Sequence, residues 1–133
     1  MTTKGKVLII DDDPDFVEVV RTALETDDFE VFSAADGSQG LALMRQEKPD
    51  LVFLDVIMVL PDEGVTVSEE MARDADLRDI PVVMVSSVAQ SEYTGYFPTD
   101  RPLHVDLFLD KPVSLQKLLD IANDYVRQQE ASV

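Results

Sequence analysis

The run VLIIDDDPDF, residues 7–16, places Asp11, Asp12, Asp13 and Asp15 directly behind an apolar segment. Like charges this close repel, so that density of carboxylates needs a role: a solvated turn, a metal site, or a nucleophile with helpers. Farther along, Asp55 follows DLVFL, Ser86 and Ser87 follow PVVMV, and Asp110 and Lys111 follow VDLFL. Acids behind two runs, hydroxyls behind another and a lysine behind the last could form one pocket. Asp11, Asp12 and Asp55, with no thiol or imidazole beside them, suit a hard cation. Mg2+ binds through one or two carboxylates plus water and phosphate oxygens. A lysine and a hydroxyl across from the acids would hold phosphoryl oxygens. The chemistry suggested is phosphoryl transfer onto an aspartate, a form of nucleophilic catalysis.

The elements that must position these residues can be read from periodicity. Five apolar runs recur: KVLII (6–10), FEVFS (29–33), DLVFL (50–54), PVVMV (81–85) and VDLFL (105–109). Several are apolar throughout rather than alternating, which predicts strands buried on both faces of a parallel sheet. Between them lie helical patterns. After Pro14, which suits a first helical turn, Phe16, Val19, Val20, Ala23 and Leu24 recur at helical spacing. Asp13 is the expected N-cap there, and Asp15 sits well against the positive helix end. A second helix runs from Ser38 toward Pro49, with Leu41, Ala42 and Met44 expected inward, and a third lies within VTVSEEMARDADL (65–77). The last helix follows an N-cap at Ser114 and carries the stripe Leu115, Leu118, Leu119, Ala122, Tyr125 and Val126. One link departs: SEYTGYFPTDRP (91–102) contains Gly95, Pro98 and Pro102. Proline inside a helix costs about 3 kcal/mol, so the helix between the fourth and fifth strands should be shortened or irregular.

Strands alternating with helices predict a doubly wound α/β domain. Ligands in such folds bind at the carboxyl ends of the strands, where the acids, hydroxyls and lysine fall. Composition agrees with one domain of 133 residues, 45% hydrophobic and 29% charged. There is no Cys and one histidine, His104, which excludes disulfides, thiolate zinc sites and multi-His metal cages. His104 reads as a surface loop residue. The net charge of −16, from 11 basic against 27 acidic residues, disfavours direct contact with nucleic acid or an anionic membrane. No N-terminal signal core and no run long enough to span a bilayer is present, which predicts a cytoplasmic protein.

At four places in order, the chain resembles the receiver domains of bacterial two-component response regulators. The matching residues are VLIIDDD for the first strand and acidic pair, PDLVFLDVIM for the third strand and acceptor, IPVVMVSS for the fourth strand and hydroxyl, and VDLFLDKPV for the fifth strand, lysine and proline. The likeness extends from residue 6 to about 127 and implies a flavodoxin-like five-stranded order, 2-1-3-4-5. It implies Asp55 as phosphoacceptor, with Mg2+ held by Asp12, Asp55 and the Ile57 backbone carbonyl, and by Asp11 through water. Lys111 would pair with the phosphoryl group. Ser86 stands at the switch hydroxyl and Phe108 at the aromatic switch position, where it could equally be core. The partner implied is a sensor histidine kinase or a histidine phosphotransfer protein. With only about six residues after the last helix, a stand-alone receiver spanning 1–133 is expected, without output domain, signalling to a downstream protein by contact.

The chain departs from the family's usual DxxMPxxxG pattern. It reads DVIMVLPDEG, so Val59 replaces the proline, and Pro61 and Gly64 come late. Two other readings remain open on the residues. A haloacid-dehalogenase-like phosphatase would use Asp11 as nucleophile and Asp13 as acid/base, with Ser86 and Lys111 helping. A degenerate receiver would only dock partners. A calcium loop on Asp11, Asp13 and Asp15 fails, because Phe16 and Thr22 stand where that loop needs Gly and Glu. Tyr93, Tyr96 and Phe97 pack locally or form a partner patch.

Overall fold

Val7, Leu8, Ile9 and Ile10 are all fully buried, although strand side chains point alternately to opposite faces. A strand apolar on both faces needs cover on both, and the chain supplies it. The structure, a computed structural model, describes residues 3–55, 63–86, 107–110 and 114–131. Its strands are β1 (Gly5–Ile10), β2 (Phe29–Ala34), β3 (Leu51–Asp55), β4 (Val82–Ser86) and β5 (Leu107–Asp110). All pair in parallel in one sheet of order β2-β1-β3-β4-β5. The helices are α1 (Pro14–Thr26), α2 (Gly37–Glu47), α3 (Glu63–Arg73) and α4 (Leu115–Ala131).

The period-two pattern divides the core into two layers. Val7 and Ile9, Leu51 and Phe53, and Val83 and Val85 face one side, where Val20 and Leu24 of α1 and Leu118 and Ala122 of α4 cover them. Leu8 and Ile10, Val52 and Leu54, and Val82 and Met84 face the other, under Met44 of α2 and Val67 and Met71 of α3. The domain is therefore doubly wound, as the unbroken apolar runs predict. The segment between β4 and β5, where an irregular helix is expected, lies outside the described residues.

Local chemistry sets the helix ends. Asp13 Oδ1 accepts from the N–H groups of Asp15 (3.0 Å) and Phe16 (3.4 Å) at the start of α1. Asp36 does the same for Gln39 at the start of α2 (2.8 Å), and Ser114 Oγ for Lys117 at the start of α4 (3.1 Å). These oxygens satisfy N–H groups that have no partner within the helix. Helix α2 stops where Lys48 turns left-handed (φ 49°), since Pro49 follows and disfavours a helical residue before it.

Three expectations about faces need correction. Val19 is 51% exposed and Leu115 39% exposed, and Ala42 is also exposed. On α1 the inward line passes through Val20 and Leu24, flanked by Phe16 and Val17, so Val19 falls outside it. On α4 Ile121 joins the buried face, while Leu115 lies in the first turn, at the end of the covered sheet. On α2 the buried residues are Gly37, Gly40 and Met44, which turns Ala42 outward. Helix α3 also starts and ends earlier than 65–77. After it Asp74 Oδ1 accepts from Asp76 N (2.9 Å), and Leu77 is buried from the turn that follows.

Candidate functional site

The register of β1 on β3 builds the site. Ile10 pairs with Leu54, so the next residues, Asp11 and Asp55, emerge side by side at the carboxyl edge. Neighbouring strands lie about 4.8 Å apart, within reach for short acidic side chains. The carboxylate oxygens of Asp11, Asp12 and Asp55 come within 4.8 Å of one another. Asp11 is 3% and Asp55 5% exposed, whereas Asp12 is open to solvent. Two buried carboxylates and one exposed one, converging on a point, are the hard oxygen set that Mg2+ takes. A divalent cation there would also relieve their mutual repulsion. The donor set therefore fits the cation that the sequence implies.

Asp11 is fixed from two directions. Its backbone N–H donates to the Ala34 carbonyl at the end of β2 (3.0 Å). Its Oδ1 accepts from Asp13 N (2.9 Å), the residue that caps α1. The acidic run thus separates into two parts. Asp11 and Asp12 face Asp55, while the Asp13 carboxylate is engaged in capping. An open groove of about 470 Å³ adjoins the acids, between α1 and the β2–α2 junction. Asp11, Asp12, Arg21, Ser33 and Gln39 are among its lining residues. Arg21, Ser33 and Gln39 have no part in the sequence-based site. The signal for Arg21 was present, since it is the one basic residue in α1.

Asp55, Ser86 and Asp110 each end their strand rather than follow it. Asp55 pairs with Val85, and Ser86, the next residue of β4, pairs with Asp110 of β5. The backbone of Ser86 thus stands one strand over and one residue beyond the acids. Phe108 lies in β5 opposite Met84. Ile57, Ser87, Lys111, Tyr93, Tyr96, Phe97 and His104 lie outside the described residues.

Residues 7–123 match the response regulator receiver domain family. The chain belongs to that family, the receivers of two-component signalling. It is 35% identical over 116 residues to the DNA-binding dual master transcriptional regulator RpaA of Synechocystis, covering 86% of this chain and 46% of that protein. It is 34% identical over 120 residues to protein PilH of Pseudomonas aeruginosa, covering 90% of this chain and 95% of that one. The receiver therefore spans less than half the length of some relatives and nearly all of another. Among solved structures, a CheY-like receiver domain protein from Methanospirillum hungatei superposes with a TM-score of 0.78 at 25% identity, covering both chains completely. Nothing in the matches favours the phosphatase reading, and the Asp13 carboxylate that it needs as acid/base is the α1 cap.

Proposed function

We propose that this receiver accepts a phosphoryl group on Asp55 from a phosphohistidine of a sensor kinase or phosphotransfer protein. The observation that carries the reading is the meeting of Asp11, Asp12 and Asp55 within 4.8 Å. In this reading Asp12 and Asp55 hold Mg2+ directly, with the Ile57 carbonyl, and Asp11 acts through water. The bound cation supplies positive charge against the transferring phosphoryl oxygens. A carboxylate oxygen of Asp55 forms the new bond to phosphorus as the bond to the histidine nitrogen breaks. The imidazole leaves and takes up a proton. Burial of Asp55 keeps bulk water from the acyl phosphate, while the exposed Asp12 leaves the mouth open to the donor. Lys111 pairs with the phosphoryl group and the Ser86 hydroxyl turns toward it, and Phe108 follows as the aromatic switch. Phosphorylation then biases two conformations of the domain.

The receiver acts in this proposal as a signalling domain in the cytoplasm rather than as a turnover enzyme. Among the described residues no helix is long and apolar enough to cross a membrane. Output passes to a downstream protein by contact.

Intact-mass measurement after incubation with acetyl phosphate and Mg2+ tests the assignment. One phosphoryl adduct is expected on the wild type and none on Asp55→Asn. An adduct unchanged in Asp55→Asn would remove Asp55 from the role. A wild type that never carries an adduct, yet still binds a histidine kinase, would make the domain a docking module.

A further inference from the structure

We propose that Arg21 and Ser33 together position the Asp11–Asp12 half of the cation site; the proposal rests on the reading of Asp11, Asp12 and Asp55 as that site. In a chain with 27 acidic residues, Arg21 makes no ion pair among the described residues. Its guanidinium instead donates to two neutral acceptors on β2. Nη2 reaches Ser33 Oγ at 2.6 Å and Nη1 the Val31 carbonyl at 3.3 Å. Both bonds tie α1 to the edge strand of the sheet.

From that tie, two short routes lead to Asp11. Along β2, Ser33 is followed by Ala34, whose carbonyl accepts the Asp11 N–H at 3.0 Å. Along the helix, α1 leads back to its cap Asp13, whose N–H donates to Asp11 Oδ1 at 2.9 Å. The result is a closed ring: Arg21, Ser33, Ala34, Asp11, Asp13 and back through α1. The Asp11 carboxylate is a member of this ring, and Asp12 lies on the link between Asp11 and Asp13. Val20 and Leu24 press α1 onto the sheet, but apolar contact is non-directional and sets little along the helix axis. Hydrogen bonds are directional, so the guanidinium fixes where the helix start lies relative to the end of β2. Arg21 then acts through Asp13 and Ala34, not by touching the cation. Lysine could not replace it fully, because a single ammonium lacks the fork that spans two acceptors.

Titration calorimetry of Mg2+ into the unphosphorylated full chain, with the metal-free melting temperature measured alongside, tests this. Arg21→Ala and Ser33→Ala should each weaken Mg2+ binding by about tenfold, the low end of what outer partners contribute. Arg21→Lys should fall between them and the wild type. Asp27→Asn, at the opposite end of the sheet, should lower the melting temperature without changing Mg2+ affinity. Ser33→Ala removes only a hydroxyl and decides the matter if Arg21→Ala does not fold. Wild-type affinity in Ser33→Ala and Arg21→Ala would overturn the proposal. So would an equal loss of affinity in Asp27→Asn, which would make affinity follow stability alone. A wild type that binds no Mg2+ would instead overturn the reading of the acidic site itself.

Discussion

Asp11, Asp12 and Asp55 each bring a carboxylate oxygen within 4.8 Å of the others. Like charges this close repel, and under the proposed function a divalent cation would turn that cost into binding. This has a sign that can be tested. Asp12→Asn should stabilise the metal-free protein, by roughly 1 kcal/mol for each like-charge contact at the bulk-water value that suits an exposed side chain. The same change should abolish stabilisation by Mg2+. In the wild type, Mg2+ at ten times its Kd should add about 1.4 kcal/mol, a rise of roughly 3–6 °C in Tm. Thermal melts with and without Mg2+ measure both. If Asp12→Asn lowers the metal-free Tm, the three acids are not in mutual repulsion and the site is misread.

Between residue and fold, the contact of α2 with β1 depends on a missing side chain. A Cβ at Gly40 would stand 2.4 Å from Ile10 Cδ1 and 2.8 Å from its Cγ1. Ile10 is fully buried and is the residue immediately before Asp11. Ile10 must shift to admit the methyl group, so Gly40→Ala overpacks the layer, at about 1–3 kcal/mol. The better helix propensity of alanine, about 1 kcal/mol, offsets part of that. Chemical denaturation should show a net loss for Gly40→Ala, and a net gain would mean that the layer is loosely packed there. Gly40 could be read from sequence only as a weak point in a helical pattern. Its role needs Ile10 across from it, which no local rule supplies.

The far end of the sheet holds a second polar cluster, remote from the acids. Lys4 Nζ donates to Asp27 Oδ1 (2.8 Å) and to Asn123 Oδ1 (3.1 Å), and Asn123 Nδ2 donates to Asp27 Oδ2 (2.8 Å). It joins the entry of β1, the end of α1 and the middle of α4. The hydrogen bond from Lys4, then that from Asn123, holds the Asp27 carboxyl below its ordinary pKa. A lowered folded-state pKa contributes stability above the ordinary carboxylate range and loses it as pH falls through the folded value. Asp27→Asn should therefore cost stability at neutral pH, modestly, because the Lys4 and Asp27 side chains are 40% and 35% exposed. The gap to the wild type should close on acidification below about pH 4. A gap that stays constant across that range would show that shape, not charge, is what Asp27 contributes.

Much of this receiver follows from the chain read locally. Unbroken apolar runs such as VLII determine strands that need cover on two faces, because strand side chains alternate. Asp13 before Pro14 determines a helix start, because a side-chain oxygen must satisfy the first N–H groups. Asp11, Asp12 and Asp55 were identifiable as strand-end acids on the same grounds. Helical periodicity was less decisive: it did not show Val19 and Leu115 turning outward, since the line a helix buries depends on how its neighbour is seated. What only the tertiary structure decided was which ends meet. The pairing of Ile10 with Leu54 brings acids 43 or more positions apart within 4.8 Å. The bonds from Arg21 to Val31 and Ser33 join a helix to an edge strand. Both depend on register and on helix placement, which are set by packing across the whole sheet and leave no mark in any short stretch of sequence.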